Sequence, residues 1–170
     1  MARHGGRAFS IGMNGGGFLK ALDRFEATLT QKYKRSLVRF AVEMNRRLLE
    51  RTPVWEGTTI RNWQWALGSP AKTVKPAEGG SIPTGPTNTM ALGQEPRRAV
   101  NEAAQQADFD SFLAKLMGSV KVPNIYLTNP APNAGAVEYG MLPTAQRSRT
   151  PPGGVVRMAL AETLTAMGAR

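Results

Sequence analysis

FLKALDRFEATLTQKYKRSLVRFAVEMNRRLLERTP, residues 18–53, carries a large apolar side chain at every third or fourth position. The stripe consists of Phe18, Leu22, Phe25, Leu29, Tyr33, Leu37, Phe40, Met44 and Leu48. This spacing predicts one α-helix of about nine turns with a single apolar face. Thr52-Pro53 ends the helix, because the residue before a proline avoids the helical region.

An apolar stripe of this length can be covered in two ways. It can pack on the rest of its own chain, as a helix laid on a sheet does, or it can form the seam of a coiled coil. We expect packing within the chain, with self-association through the stripe as the alternative.

The polar side of the same helix is strongly charged. One face of it carries Lys32, Arg35, Arg39 and Arg46. Two glutamates lie one helical turn from an arginine, a spacing typical of a solvated face whose charges pair. The expected pairs are Glu43 with Arg47 and Glu50 with Arg46.

Downstream of the helix, RNWQWAL, residues 61–67, alternates with a period of two. Trp63 and Trp65 fall on one face of the predicted strand, and Asn62 and Gln64 fall on the other. Two tryptophans on one face bury roughly 150–250 Å² each. We expect them to complete the core under the long helix. The alternative is a contact surface or a platform that stacks on bases.

Two segments are rich in glycine and proline. Residues 1–17 end in three consecutive glycines and are predicted to form a flexible N-terminal arm. Residues 68–96 are too long for an ordinary connection and carry few large apolar side chains. We expect an extended loop or arm that becomes ordered on assembly, in which residues around Thr73 to Lys75 could pair as a hairpin.

The second half of the chain predicts a strand between helices. Residues 97–117 form a helix that ends at Gly118, and Asp108 or Asp110 could cap its second half. The strand Asn124–Thr128 follows, then a short helix over 132–139 and a basic loop over 141–150. A last helix begins after Pro151-Pro152-Gly153. The expected apolar face of the 97–117 helix is Val100, Ala104, Ala107, Phe112, Leu113 and Leu116, and that of the last helix is Val156, Leu160, Leu164 and Met167.

These elements predict an α+β fold for residues 18–170, treated as a single domain. A small mixed or antiparallel sheet packs against the long N-terminal helix and the C-terminal helix, and residues 68–96 form a long Gly/Pro-rich loop. The length of 170 residues suits one domain with mobile arms.

Composition narrows the function classes. The chain has no cysteine, which excludes disulfides, thiolate metal sites and cysteine nucleophiles. It has no signal-like apolar segment at its start and no apolar run near the roughly 20 residues that cross a bilayer, so we expect no membrane partner. A net charge of +10 favours phosphates or acidic proteins as partners without choosing between them.

The sequence offers little for catalysis, so we expect no enzyme, no cofactor and no metal site. The single histidine, His4, lies in the glycine-rich arm, where rigid partners for acid–base or metal chemistry are lacking. Asp108, Asp110 and Glu102 are interpreted as capping or solvated charges rather than metal ligands. Gly15–Gly17 lacks the Lys-Ser/Thr that completes a phosphate loop.

Basic residues outside the long helix are candidates for contact with DNA or an acidic partner. They are Arg3, Arg7, Arg97, Arg98, Arg147 and Arg149. Because they lie in arms, loops and helix ends rather than in a recognition helix, we expect sequence-independent contact with double-stranded DNA at most.

Three short segments occur in a characteristic order. The first is Thr52-Pro53-Val54 followed by Gly57, Arg61 and Trp63. The second is IYLTNPAP, residues 125–132, with VEYG at 137–140, and the third is Pro151-Pro152-Gly153 with Val156-Arg157. Together they resemble the tail-component family of long-tailed bacteriophages, whose members are also called tail completion or neck proteins. The matching positions are Pro53, Gly57, Arg61, Trp63, Asn129, Pro130, Glu138, Tyr139, Gly140, Pro152 and Gly153.

The resemblance implies a structural subunit of the virion neck or upper tail, made in the host cytoplasm, that helps join the DNA-filled head to the tail. It implies self-assembly into a ring, six-fold or twelve-fold, with heterologous contacts between subunits. Other neck and tail proteins, such as a connector, a stopper or a tail terminator, would be partners. The alternative is a module that binds the DNA end without sequence preference.

Overall fold

The computed structural model describes residues 15–54, 56–79, 97–139, 141 and 153–168. Residues 1–14 of the predicted flexible arm (1–17) therefore lie outside the described residues, and its last three glycines begin α1. Residues 80–96 of the predicted loop and most of the basic loop also lie outside them. The elements in chain order are α1 (Gly15–Arg51), α2 (Thr58–Arg61), β1 (Gln64–Leu67), α3 (Arg98–Gly118), β2 (Ile125–Thr128), α4 (Ala134–Glu138) and α5 (Val155–Ala166).

The expected α+β class is confirmed. β1 and β2 pair antiparallel, with Trp65 opposite Leu127, and together form a two-stranded sheet. The C-terminal half of α1 packs on α5 and, less extensively, on α3. Of the helices in the described part of the chain, none combines the length and apolar character that a bilayer crossing requires.

The first part of the core lies between α1 and α5. Its buried residues are Met44, Leu48, Trp63, Val137, Val155 and Ala159. Trp63 donates from Nε1 to Thr52 Oγ1 at 2.7 Å, so burial leaves its indole N–H paired. The prediction that Trp63 belongs to the core is confirmed.

The second part of the core lies between α1 and α3. Ala41, Phe109, Phe112 and Leu116 form it, with Trp65 packed against them. The Trp65 ring centroid lies 5.6 Å from those of both phenylalanines, and all three rings are tilted or offset, as aromatic pairs prefer. Trp65 contacts both parts of the core, which joins them across the sheet.

The predicted apolar face of α5 is wrong in part. Leu160 and Leu164 are exposed, and the buried face consists of Val155, Ala159 and Thr163. Small side chains at these positions let α5 approach α1 closely, and Glu162 beside them pairs with two arginines of α1.

The predicted apolar face of α3 is wrong in its first half. Val100 is exposed, whereas the buried side begins with Arg98, Asn101 and Gln105. Arg98 donates to the Leu49 carbonyl, Asn101 to the Glu78 carbonyl and Gln105 to the Trp63 carbonyl. Backbone carbonyls need such donors when they leave water. α3 is also one continuous helix, so no cap at Asp108 or Asp110 interrupts it.

Candidate assembly surface

The first motif folds into a turn that only glycine allows. Gly57 has φ +92° and precedes α2, and a Cβ there would collide with the Asn101 side chain. Asn101 cannot yield freely, because its amide accepts from the Glu78 N–H at 2.8 Å and donates to the Glu78 carbonyl at 3.0 Å. The glycine therefore allows α2, α3 and the 68–79 segment to meet.

Arg61 of the same motif is nearly buried and forms an ion pair with Asp108 of α3. Lys75 Nζ contacts the same Asp108 oxygen at 2.7 Å. Burial opposes ionisation of Asp108, but the hydrogen bonds from Lys75 and Arg61 outweigh it and lower the pKa of this carboxyl. Asp108 is thus an ion-pair partner rather than a cap, and it joins three segments that are distant in sequence.

The second motif is tied to the first. Asn129 donates from Nδ2 to the Thr59 carbonyl at 2.8 Å, and its Oδ1 accepts from the Ala131 N–H at 3.1 Å. The second bond closes a turn in which Pro130, with no N–H of its own, fits without loss. Asn129 therefore ends β2 and fixes it against α2.

The second motif is also tied to the third. Glu138 Oε2 accepts from the Val156 N–H at 2.7 Å, and Glu138 Oε1 accepts from Arg157 Nε at 3.1 Å. The carboxylate thus satisfies a free N–H in the first turn of α5, where negative charge is favourable. Gly154 approaches Glu138 so closely that a Cβ there would collide with it, and Gly153 also has positive φ.

Most of the motif positions are therefore framework residues. Tyr139 differs from them, since its large side chain is exposed and its ring lies 5.7 Å from the Arg157 guanidinium. Gly140 and Pro152 lie outside the described residues, so the predicted role of Gly140 in ending the short helix stays a prediction. Pro53 is half-buried two residues after the end of α1.

Residues 71–79 of the predicted arm are held against the body. Side chains bind their backbone in turn: Thr128 Oγ1 donates to Ala71, Gln64 Nε2 to Thr73, and Asn62 both donates to and accepts from Lys75. Side chains from the end of α2, from β1 and from β2 thus hold an extended segment, and the predicted hairpin around Thr73 to Lys75 does not form. Residues 80–96 lie outside the described ranges, so the arm beyond Gly79 stays a prediction.

Two of the six predicted DNA-contact arginines are described. Arg98 is buried, and its guanidinium donates to the carbonyls of Leu49 and Thr52 at 2.9 and 2.7 Å while pairing with Glu102. The prediction for Arg98 is therefore wrong, because this group caps the C-terminal end of α1. Arg97 donates to the carbonyls of Glu78 and Gly79. Arg3, Arg7, Arg147 and Arg149 lie outside the described residues.

The apolar stripe of α1 divides into two halves. From Leu37 onward its members are partly or fully buried. Before that point all of them are exposed, from Tyr33 at 58% back to Phe18 at 63%. The exposed stripe, as we call it, consists of Phe18, Leu22, Phe25, Leu29 and Tyr33, with Leu19 beside them. The expectation that the whole stripe packs within its own chain is corrected for this half.

The division falls where α1 leaves the body. Lys34 is buried and donates from Nζ to the carbonyl of Ser119, directly after the end of α3. N-terminal to this bond, all but one of the described residues of α1 from 16 to 33 are exposed around the whole helix, and Thr30 is half-buried. At 1.5 Å per residue, the projecting part of α1 is about 28 Å long.

A groove lies at the opposite end of α1, between α1 and α3, with a volume of about 450 Å³. We call it the α1–α3 groove. Its apolar lining is Val42, Leu49, Phe109 and Leu113, and its polar lining is Arg46, Glu50, Glu102, Gln106 and Asp110.

Ion pairs on α1 follow the expected spacing and extend beyond it. The Glu43–Arg47 and Glu50–Arg46 pairs form as predicted. Hydrogen bonds from Arg46 and Arg47 lower the pKa of Glu43 to about 2. Sequence spacing missed Glu162, whose carboxylate pairs with Arg47 and Arg51, since these partners come together only when α5 packs on α1.

A buried amide network also escaped the sequence analysis. Asn45 Oδ1 accepts from Trp65 Nε1 at 3.0 Å and from Gln105 Nε2 at 2.8 Å, and Gln105 also donates to the Trp63 carbonyl. Asn45 and Gln105 are 60 residues apart in the sequence. The only sequence feature that could have indicated the network is a polar residue at a core position of each helix.

The described residues contain no group of three or more histidine, aspartate or glutamate side chains placed to hold a metal ion. Comparison with known proteins adds no assignment, since no family model, curated protein or solved structure matches this chain.

On the described surface, the exposed stripe is the feature that points most clearly to a function, because its large apolar side chains are left in solvent.

Proposed function

We propose that this chain is a structural subunit of the neck or upper tail of a long-tailed bacteriophage. It assembles into a ring and helps join the DNA-filled head to the tail. The observation that carries the proposal is the exposed stripe, because large apolar side chains on a projecting helix mark a surface built for a partner. The type of assembly, a phage neck or tail, is inferred from the order of the three sequence motifs.

The framework role of the motifs supports the same proposal. The motif positions that the structure describes mostly hold α2, β2, α4 and α5 in place rather than lining a cleft. A subunit whose task is to present surfaces to neighbours needs a fixed body of this kind. The projecting half of α1 would then extend from the body to a neighbouring subunit.

A phage that carries a stop codon in place of Trp63 tests the proposal. Electron microscopy of the lysate should show separate full heads and finished tails, and a plasmid copy of the chain should restore joined particles. Normally joined and infectious virions without the chain would contradict the proposal.

A second candidate is a module that binds the DNA end without sequence preference. The favouring observation is an exposed set of basic side chains along the projecting half of α1 and just beyond it: Lys20, Arg24, Lys32, Arg35 and Arg39. Binding of linear duplex DNA should weaken steeply with salt, by a slope of about −0.9 per neutralised phosphate. No retention of DNA at low salt would exclude this function.

A further inference from the structure

We propose that the exposed stripe of one copy docks into the α1–α3 groove of a second copy, so that copies join head to tail. The inference rests on the proposed ring function and names the partner surface. Three observations support it: the apolar area of the exposed stripe, the distance between stripe and groove within one chain, and the opposite charges of the two surfaces.

The exposed stripe is large enough to form an interface. Phe18, Phe25 and Tyr33 are each more than half exposed, as is Leu19, and Leu22 and Leu29 are about half exposed. With roughly 150–250 Å² for an aromatic side chain, the six together offer on the order of 600 Å². A standard interface buries about 800 Å² per partner, and the flanking polar side chains would supply the rest.

The projecting helix also gains no packing energy from its own body. Most helical stability in proteins comes from a packed apolar face rather than from intrinsic propensity. Residues 16–33 have that face and leave it in solvent. Docking of the face would therefore stabilise the helix and the contact together.

The stripe cannot reach the groove of its own chain. Phe25 and Arg46 belong to one continuous helix, in which 21 residues separate them by about 30 Å. A helix cannot fold back on itself, so a contact between these two surfaces requires two copies. Such a contact is heterologous and generates a ring where the rotation between copies closes.

The groove offers apolar side chains from two helices. Val42 and Leu49 come from α1, and Leu113 and the buried Phe109 come from α3. Leu22, Phe25 and Leu29 are spaced as the i, i+3 and i+7 anchors that a helix presents to a groove. Their spacing over two turns fits the run of the lining along α1 from Val42 to Leu49.

Charge favours this pairing over a contact between two stripes. Three acidic groups and one arginine line the groove, and Arg98 pairs with Glu102 of this lining, which leaves a net charge of 2 − 3 = −1 on a chain whose net charge is +10. Residues 18–35 carry five basic and two acidic side chains, a net charge of 5 − 2 = +3. Two stripes would bring like charges together, whereas stripe and groove are complementary.

Two single-face variants test the contact in mixtures. Phe25→Asp alters the stripe, and Val42→Arg with Asp110→Arg alters the groove; all three positions are exposed, so the fold should survive. Sedimentation should show oligomers for the wild type, monomers for each variant alone and a 1:1 dimer for the mixture. Ala27→Asp, on the opposite side of α1, is the matched control and should assemble as the wild type does.

Three outcomes would overturn the inference. The groove variant assembling alone would mean that the stripe docks elsewhere, and a monomeric mixture would mean that the two surfaces do not meet. A monomeric wild type at micromolar concentrations would mean that the stripe is covered by its own chain or by another protein.

Disulfide trapping gives a second readout in an otherwise unaltered background, since the chain has no cysteine. Phe25→Cys and Val42→Cys proteins should cross-link when mixed and oxidised, and neither should cross-link alone. Cross-linking of Phe25→Cys protein alone would show stripe-to-stripe pairing and overturn the inference. The mixing and cross-linking experiments use purified protein alone. Their failure would exclude the contact between copies and leave the neck function to be tested by the lysate experiment. Failure of the lysate experiment would exclude the neck function and leave the contact between copies in place.

Discussion

Leu22 and Leu48 belong to one apolar stripe on one helix, yet Leu22 is 50% exposed and Leu48 is fully buried. The sequence spacing treats them as equivalent, because both continue the same three-or-four-residue repeat. The difference arises from tertiary structure, since α3, α5 and the sheet cover only the C-terminal half of α1.

This division predicts unequal costs for the same substitution. Leu48→Ala should lower the free energy of unfolding by about 2–5 kcal/mol, because it leaves a cavity in a packed core. Leu22→Ala should change it by less than about 0.5 kcal/mol. Urea unfolding in the Phe25→Asp background, which removes self-association, measures both. Equal costs would show that the N-terminal half of α1 is packed in the monomer.

Gly57 and Gly68 separate backbone strain from steric collision. Both have positive φ, but a Cβ at Gly57 meets Asn101, whereas a Cβ at Gly68 meets open space. Gly68→Ala should cost about 1–2 kcal/mol from left-handed strain alone. Gly57→Ala should cost about 3 kcal/mol or more, since Asn101 must also give up its bonds to Glu78. Similar melting temperatures for the two variants would contradict the assigned role of Asn101.

Glu138 should act as a distant cap of α5. Glu138→Gln keeps the shape and loses the charge that faces the first turn of the helix, so we expect a cost of about 1 kcal/mol. Asp23→Asn on the exposed part of α1 is the control and should cost less than about 0.5 kcal/mol. Thermal unfolding of the two variants compares them, and an equal change in both would remove the capping role.

Asp108 should make stability depend on pH in the acid range. Its pKa is lowered in the folded protein, so the folded state binds fewer protons than the unfolded state. The stabilisation is present above the ordinary pKa of 3.8 and is lost as pH falls through the lower folded value. Asp108→Asn should therefore cost about 1–2 kcal/mol at pH 7, a figure reduced by the partial exposure of this carboxyl. The cost should shrink progressively as the pH falls below the ordinary pKa of 3.8. Urea unfolding over a series of pH values from 7 downward measures the difference, and a cost independent of pH would contradict the ion pairs.

Local patterns predicted the elements well. The three-or-four-residue repeat gave α1, and Thr52-Pro53 gave its end. The alternation around Trp63 gave β1, with Trp63 buried just before the strand and Trp65 partly buried within it. These features depend on neighbours in sequence. The i, i+4 pairs of α1 were predictable for the same reason.

Long-range polar structure was not predictable. Arg98 looked like a surface cation, but it is buried because the last carbonyls of α1 need a donor. The buried face of α5 was misassigned because Ala159 and Thr163 are weak apolar signals that matter only when a second helix approaches closely. Such roles depend on which elements meet, and a single sequence does not encode this in a local pattern.

The central claim is that the exposed stripe joins copies of this chain, and sedimentation velocity of the wild type beside Phe25→Asp tests it most directly. We predict a closed oligomer for the wild type and an 18.4 kDa monomer with unchanged melting temperature for the variant. A wild type that sediments as a monomer, or a variant that still assembles, would contradict the claim.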